Sequence, residues 1–147
     1  MEITLTRDQE NAKNLIAEWF SNTDDKVFVL SGYAGTGKTF LIDFVVREVL
    51  NLKAGVEAVF VSPTGKAAAN LVRNGTVAGT VHSLIYVRDD EEFDVDENGE
   101  KKKKKELTFI KRRSIDEKIR LIIVDEASMI NETVLNDLLS FNVKCLF

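Results

Sequence analysis

The sequence predicts an α/β domain built on a parallel sheet with helices on its faces. Val27-Phe28-Val29-Leu30 is an unbroken apolar run of strand length; the glycine-rich stretch Ser31 to Thr39 follows, then apolar residues at helical spacing from Phe40 to Leu50. The same order of strand, turn and helix returns at Glu57-Ala58-Val59-Phe60-Val61 and at Leu121-Ile122-Ile123-Val124. Apolar runs without alternation suit strands covered on both faces, as parallel strands between helices are.

The chain opens with Thr6-Arg7-Asp8-Gln9, the pattern of a capping box, with Thr6 as N-cap and Gln9 reaching back. Ala12, Leu15, Ile16, Trp19 and Phe20 then share one helical face. On spacing alone, capping is an adequate explanation of Gln9.

Ser31-Gly32-Tyr33-Ala34-Gly35-Thr36-Gly37-Lys38-Thr39 reads as a phosphate-binding loop. Gly32, Gly35 and Gly37 allow positive φ and close approach, so successive N–H groups can converge on an anion. The following helix adds its unpaired N–H groups and the positive end of its dipole. Lys38 supplies a mobile charge for β- and γ-phosphates, and the Thr39 hydroxyl is placed to bind Mg²⁺.

The second strand ends at Ser62-Pro63-Thr64-Gly65-Lys66, and a helix from Ala67 to Arg73 stops at Asn74-Gly75. Thr64 and Lys66 thus sit at the carboxyl end of a parallel strand, where open α/β sheets bind ligands; an ordinary strand-to-helix connection has the same pattern. Thr76 to Tyr86 contains the single histidine, His82, with no second His or Cys to suggest a metal site.

From Arg88 to Lys105 the composition changes to a block of acids, then Asn98-Gly99, then Glu100 and Lys101 to Lys105. Asn-Gly signals a hairpin with a type I′ turn. Pairing about it predicts Asp96 opposite Lys101, Asp94 opposite Lys103 and Glu92 opposite Lys105, within a solvated insertion at about 87–110. The facing carboxylates would neutralise much of the lysine field, which favours a structural role over nucleic-acid contact. Arg112-Arg113 and a short charged stretch lead into the third strand. It ends in Asp125-Glu126: a carboxylate to hold Mg²⁺ through water, then one to orient or deprotonate an attacking water. Ser128 or Asn131 can cap a helix through Val134, Leu135, Leu138 and Leu139, and Val143 to Phe147 begins another buried strand. A domain seldom stops within a strand, so residues 1–147 read as one domain's fragment of a longer protein.

Composition narrows the class. An apolar content of 44% in 147 residues supports a core, and a net charge of −4 excludes a global basic field, so any nucleic-acid contact is a local groove. One cysteine, Cys145, excludes an internal disulfide and fits a reducing, cytoplasmic setting. The N-terminus lacks signal-peptide character, and no apolar run approaches the ~20 residues needed to span a bilayer, so no membrane is expected.

With these residues in view, the chain resembles superfamily 1 DNA helicases, in the branch of RecD-like and Dda-like enzymes. Leu5-Thr6-Arg7-Asp8-Gln9 looks like the family's glutamine motif, and Gly32 to Thr39 like its phosphate loop. Pro63-Thr64-Gly65-Lys66-Ala67-Ala68 and Thr80-Val81-His82-Ser83-Leu84 are similar to two strand-contacting motifs, and Val124-Asp125-Glu126-Ala127-Ser128-Met129 to the Mg²⁺ and water-activating motif.

The resemblance implies a RecA-like fold, with Val143 to Phe147 in the sheet's centre between the phosphate-loop and Asp-Glu strands. It implies ATP and Mg²⁺ as cofactors, held by Gln9 on the adenine edge and by Gly35, Thr36, Gly37, Lys38 and Thr39, with Asp125 on the metal and Glu126 on water. Pro63, Thr64, Lys66, Thr80 and His82 would meet single-stranded DNA, with 5′-to-3′ polarity. A second RecA-like domain would complete the site with an arginine finger, and without it hydrolysis would be poor. The family carries a strand-separating pin in this insertion; here the tip, Glu97-Asn98-Gly99-Glu100, is polar, and the candidates for base stacking, Phe93 and Phe109, lie away from it. Two rivals share much of the pattern: a clamp-loader-type ATPase, which needs no Pro63-Thr64 or Thr80-His82 element, and a nucleotide switch without motor action, which gains nothing from Glu126. No guanine-reading Asn-Lys-x-Asp is present.

Overall fold

A computed structural model describes residues 3–89, 93–95, 97–103 and 108–147. Helix α1 spans Arg7–Asn22, strand β1 Val27–Phe28, and helix α2 Lys38–Phe44, which continues as a wider π turn over Val45–Val49. Strand β2 (Ala58–Ser62) leads to α3 (Gly65–Arg73), and β3 (Ala78–Thr80) runs directly into the short α4 (Val81–Ile85). Strands β4 (Tyr86–Arg88), β5 (Phe93–Val95), β6 (Lys101–Lys103) and β7 (Phe109–Lys111) follow. The described chain ends with β8 (Leu121–Val124), a 3₁₀ turn at Ala127–Met129, α5 (Glu132–Leu139) and β9 (Lys144–Leu146).

Five strands form one parallel sheet in the order β1-β9-β8-β2-β3. The segment containing β9 is therefore interior, between the phosphate-loop and Asp-Glu strands, as the family resemblance implied. Successive side chains of β8 alternate: Leu121 and Ile123 pack with Ile16, Trp19, Leu41 and Leu71 from α1, α2 and α3, while Ile122 and Val124 pack with Val81, Ile85, Val134 and Leu138 from α4 and α5. Burial on both faces is why this strand reads as a continuous apolar run.

The predicted helical face of α1 holds with one exception. Ile16 and Trp19 are buried, but Leu15 is 60% exposed. At about 100° per residue it falls outside the arc that Ala12, Ile16, Trp19 and Phe20 turn to the sheet. The first apolar run also departs from full burial: Val27 and Val29 are exposed because β1 is an edge strand of the described sheet. Its backbone pairing nevertheless reaches Leu30, whose N–H donates to the Phe147 carbonyl at 2.7 Å. Of the two cap candidates for α5, Asn131 serves, accepting from the Val134 N–H at 2.9 Å.

The charged insertion is rooted in an antiparallel ribbon, β4 on β7, with Tyr86 opposite Lys111 and Arg88 opposite Phe109. Beyond it, β5 and β6 pair with Val95 opposite Lys101, Asp94 opposite Lys102 and Phe93 opposite Lys103. This is one residue out of the predicted register: the partner of Asp94 is Lys102 rather than Lys103, and that of Lys101 is Val95. Asp96, Glu92 and Lys105 themselves lie outside the described residues. Gly99 has φ 79°, and Asn98 is not among the positive-φ residues, whereas a type I′ turn needs positive φ at both. An odd-numbered loop with glycine in the left-handed position accounts for the slip.

Candidate functional site

The phosphate loop joins β1 to α2. Gly35 and Gly37 have φ of 77° and 82°, a region that β-carbon sterics make costly for other residues. Gly37 is also the N-cap of α2. A β-carbon on Gly32 would stand 3.2 Å from Thr36 Oγ1, so the loop is closely wound on itself there. Thr36 Oγ1 donates to the Tyr33 carbonyl at 2.8 Å, fixing the turn. Lys38 arches back over it, its Nζ donating to the carbonyls of Gly32 at 2.6 Å and Tyr33 at 3.0 Å.

Asp125 arrives from another part of the chain. Its N–H donates to the Val61 carbonyl at 2.9 Å, extending the β8–β2 pairing by one residue and setting the carboxylate at the strand's carboxyl end. Glu126 then turns the chain with φ 53° and ψ 41°, the left-handed region that a glutamate rarely occupies. Its side chain is exposed while Asp125 is half-buried. Lys38 and Thr39 from the first turn of α2 and Asp125 and Glu126 just past β8 line one cleft of about 410 Å³, together with Ser31 and Ser128.

A neighbouring hollow of about 470 Å³ shares Leu30, Ser31, Gly32 and Lys38 and extends to Thr6, Gln9, Tyr33 and Thr36. Gln9 forms its wall. Its Oε1 accepts from the Thr6 N–H at 2.9 Å, and its Nε2 donates to the Thr36 carbonyl at 3.3 Å. The capping explanation is thus correct, and the same side chain also holds the phosphate loop, a contact between positions 9 and 36 that spacing could not disclose. On the other side of Thr39, Asp125 and Glu126 lies a third hollow of about 360 Å³ between α2 and α3, with Asn70, Asn74 and Thr76 in its wall.

The residues expected to meet DNA form a second group on the same sheet edge. Thr64 caps α3, accepting from the Ala67 N–H at 3.2 Å, and Thr80 caps α4, accepting from the Ser83 N–H at 3.1 Å. Because Ser62 is paired with Thr80, these caps sit on the ends of adjacent strands. Pro63 is half-buried, Lys66 and His82 are exposed, and the His82 ring lies 5.1 Å from that of Tyr86. None of these five lines the cleft shared by Lys38 and Asp125. Sequence reasoning passed over Tyr86 and Arg112; the doublet Arg112-Arg113 was visible, but it marks no site until Arg112 is seen against α4.

The sheet order, the phosphate loop at the end of β1 and the acidic pair at the end of β8 define the class, a RecA-like P-loop domain. The family described as an AAA domain matches residues 4–144. The chain is 30% identical over 138 residues, 92% of its length, to the ATP-dependent DNA helicase dda of Enterobacteria phage T4. It is 27% identical over 146 residues, 88% of its length, to an uncharacterized protein of Acanthamoeba polyphaga mimivirus. The chain belongs to the AAA domain family and, within it, is similar to the motor domain of superfamily 1 helicases. It spans 28% of the length of each of these two relatives. No helix among the described residues is long and apolar enough to cross a membrane.

Proposed function

We propose that residues 1–147 form the ATP-binding first motor domain of an ATP-dependent DNA helicase, a single-stranded DNA translocase of 5′-to-3′ polarity, with the ribbon at 87–110 as an insertion. The observation that carries the nucleotide part is the convergence of Lys38 and Thr39 with Asp125 and Glu126 on one cleft from separate strands. Likeness to Dda over 92% of the chain favours a helicase over a clamp-loader-type ATPase, which would share that cleft.

The residues suit Mg²⁺ and ATP. Gly35, Thr36 and Gly37 would offer backbone N–H groups to the phosphates, and Lys38 Nζ would exchange the Gly32 and Tyr33 carbonyls for phosphate oxygens. Thr39 and Asp125 would hold Mg²⁺, which supplies charge neutralisation at the phosphates. Glu126 would orient a water and take its proton, its carboxylate carried on a left-handed backbone turn. Gln9 would present its amide to the adenine edge from the hollow it walls.

At the second group, the Thr64 and Thr80 oxygens each accept a backbone N–H, which leaves each hydroxyl proton to be donated to a DNA phosphate. Lys66 would add charge, and His82 and Pro63 a surface for sugar or base. A second RecA-like domain would supply the remaining cation, so the 147-residue chain alone should bind Mg²⁺ and ATP but turn over slowly.

Steady-state ATP hydrolysis by the full-length gene product, with and without single-stranded DNA, tests this. Strong stimulation that disappears in Lys38→Ala is expected. Hydrolysis indifferent to DNA would overturn the helicase reading and leave the clamp-loader-type ATPase or the switch.

A further inference from the structure

Arg112 differs from the other structurally engaged cations of the described chain. Lys38 has two carbonyl acceptors, Lys144 three, Arg47 the carboxylate of Asp43, and Lys111 the Ser140 hydroxyl with Asp137 nearby. Arg112 is held by its backbone, its N–H donating to the Ile85 carbonyl at 2.8 Å, and this lays the side chain along α4. There the guanidinium makes one long contact, Nη2 donating to the Ser83 carbonyl at 3.4 Å. Its Nε is buried without an acceptor, and no carboxylate among the described residues pairs with it. A guanidinium is charged at every accessible pH and presents five donors in a fixed fork. Withdrawing it partly from water without a counter-charge is unfavourable, and a bound anion offsets that cost.

We propose that Arg112 binds a phosphate of single-stranded nucleic acid, on the surface that begins with Thr80 and His82. This rests on the reading that the surface meets DNA, and extends it to a residue outside the recognised motifs. The Ser83 contact sets the fork beside the first turn of α4, whose cap is Thr80 and whose exposed ring is His82. A phosphate can accept from the Nη groups end-on, leaving the buried Nε aside, and supplies the counter-charge that the described fold omits.

Binding of labelled oligothymidylate to the 147-residue chain, followed by anisotropy across a salt series, tests the proposal. For Arg112→Gln the slope of log affinity against log salt should become shallower by about 0.7, the value for one phosphate on a single strand. Arg112→Lys should keep the wild-type slope, and binding of a fluorescent ATP analogue should not change in either. A merely structural arginine would lower stability or affinity at an unaltered slope, and that result overturns the proposal. If the glutamine variant does not fold, phenylglyoxal modification of the wild-type chain decides: oligothymidylate should protect Arg112, and equal labelling, or equal protection by inorganic phosphate, sinks it. Absence of any oligothymidylate binding by the wild type would instead overturn the DNA reading itself.

Discussion

The phenol of Tyr86 donates to Asp137 Oδ2 at 2.5 Å, joining the start of β4, just past α4, to the last turn of α5. Lys111, which faces Tyr86 across the ribbon, lies 3.8 Å from the other carboxylate oxygen and donates to Ser140 Oγ at 3.0 Å. One carboxylate on α5 therefore holds both strands at the root of the insertion. The same tyrosine ring lies against His82, and α5 follows the Asp125-Glu126 turn. Side chains thus tie the helix bearing the histidine to the helix that follows the acidic pair, in addition to the apolar contacts of Val81, Ile85, Val134 and Leu138.

Tyr86→Phe should cost about 1–2 kcal/mol at neutral pH, the range for a hydrogen bond to a charged group that keeps some access to water. The bond to the Asp137 carboxylate, followed by burial, pushes the Tyr86 phenol up from 10.0 to about 12. A raised value means the contribution is whole below pH 10 and is lost as pH rises from 10 towards 12. The deficit of the phenylalanine variant should accordingly narrow in that window. Urea unfolding of both proteins across alkaline pH measures it, and a deficit that stays constant would show that the hydrogen bond is not its source.

Glu126 combines an exposed carboxylate with a left-handed backbone, which costs an ordinary side chain about 1–2 kcal/mol. Two substitutions separate chemistry from strain. Glu126→Gln should keep stability and nucleotide binding while lowering DNA-stimulated hydrolysis in the full-length protein by about 10²–10⁴-fold, the scale of a lost general base. Glu126→Gly should lower hydrolysis as far without lowering the melting temperature, because relief of strain offsets the added freedom of the unfolded chain. A glycine variant that melts markedly earlier would contradict the strain assignment.

Lys144 ties β9 to the end of α1. Its Nζ donates to the carbonyls of Trp19 at 2.9 Å, Thr23 at 2.8 Å and Asp25 at 3.0 Å, and sits 4.8 Å over the Trp19 ring. Burial, with a smaller push from Lys26, lowers its pKa, but its three carbonyl acceptors hold it in place; that of Trp19 also accepts from the Thr23 hydroxyl at 2.9 Å. Lys144→Met keeps the apolar stem and should still destabilise by about 1–3 kcal/mol. The neighbouring Cys145 thiol provides a readout: fully buried and pushed up to about 12 by burial, it should react with a thiol reagent only after local opening. Faster labelling in the methionine variant is expected, and unchanged labelling would locate the opening elsewhere.

Local signals were legible where local physics decides. The Thr6–Gln9 box, the glycine-rich turn and the apolar runs of β2 and β8 each carry their cause within a few residues, and the structure realises all of them. The placement of β9 came from family likeness, since Lys144-Cys145-Leu146 alone does not name its neighbours. What stayed hidden depended on distant partners. The Tyr86–Asp137 bond has no signature along the chain, because it joins segments more than a helix apart. The hairpin register failed for a different reason: Asn-Gly is compatible with loops of two lengths, and charge pairing worth ~0.2–1 kcal/mol per pair is too weak to choose.

Gly35 and Gly37 offer a last comparison within the phosphate loop. Both have positive φ, so alanine at either carries a similar conformational cost, about 1–2 kcal/mol. Their surroundings differ. A β-carbon at Gly35 would meet nothing within 4 Å, whereas one at Gly37 would stand 3.1 Å from Gln9 Nε2 and press on the side chain that donates to the Thr36 carbonyl. Gly37→Ala should therefore weaken nucleotide binding more than Gly35→Ala. Removing the obstacle with Gln9→Ala should recover part of the difference, so the Gly37 and Gln9 substitutions should be non-additive while the Gly35 and Gln9 pair adds. Binding of a fluorescent ATP analogue to the four-member cycle for each pair measures this. Equal losses at the two glycines, or strict additivity in both cycles, would show that Gln9 does not brace the loop.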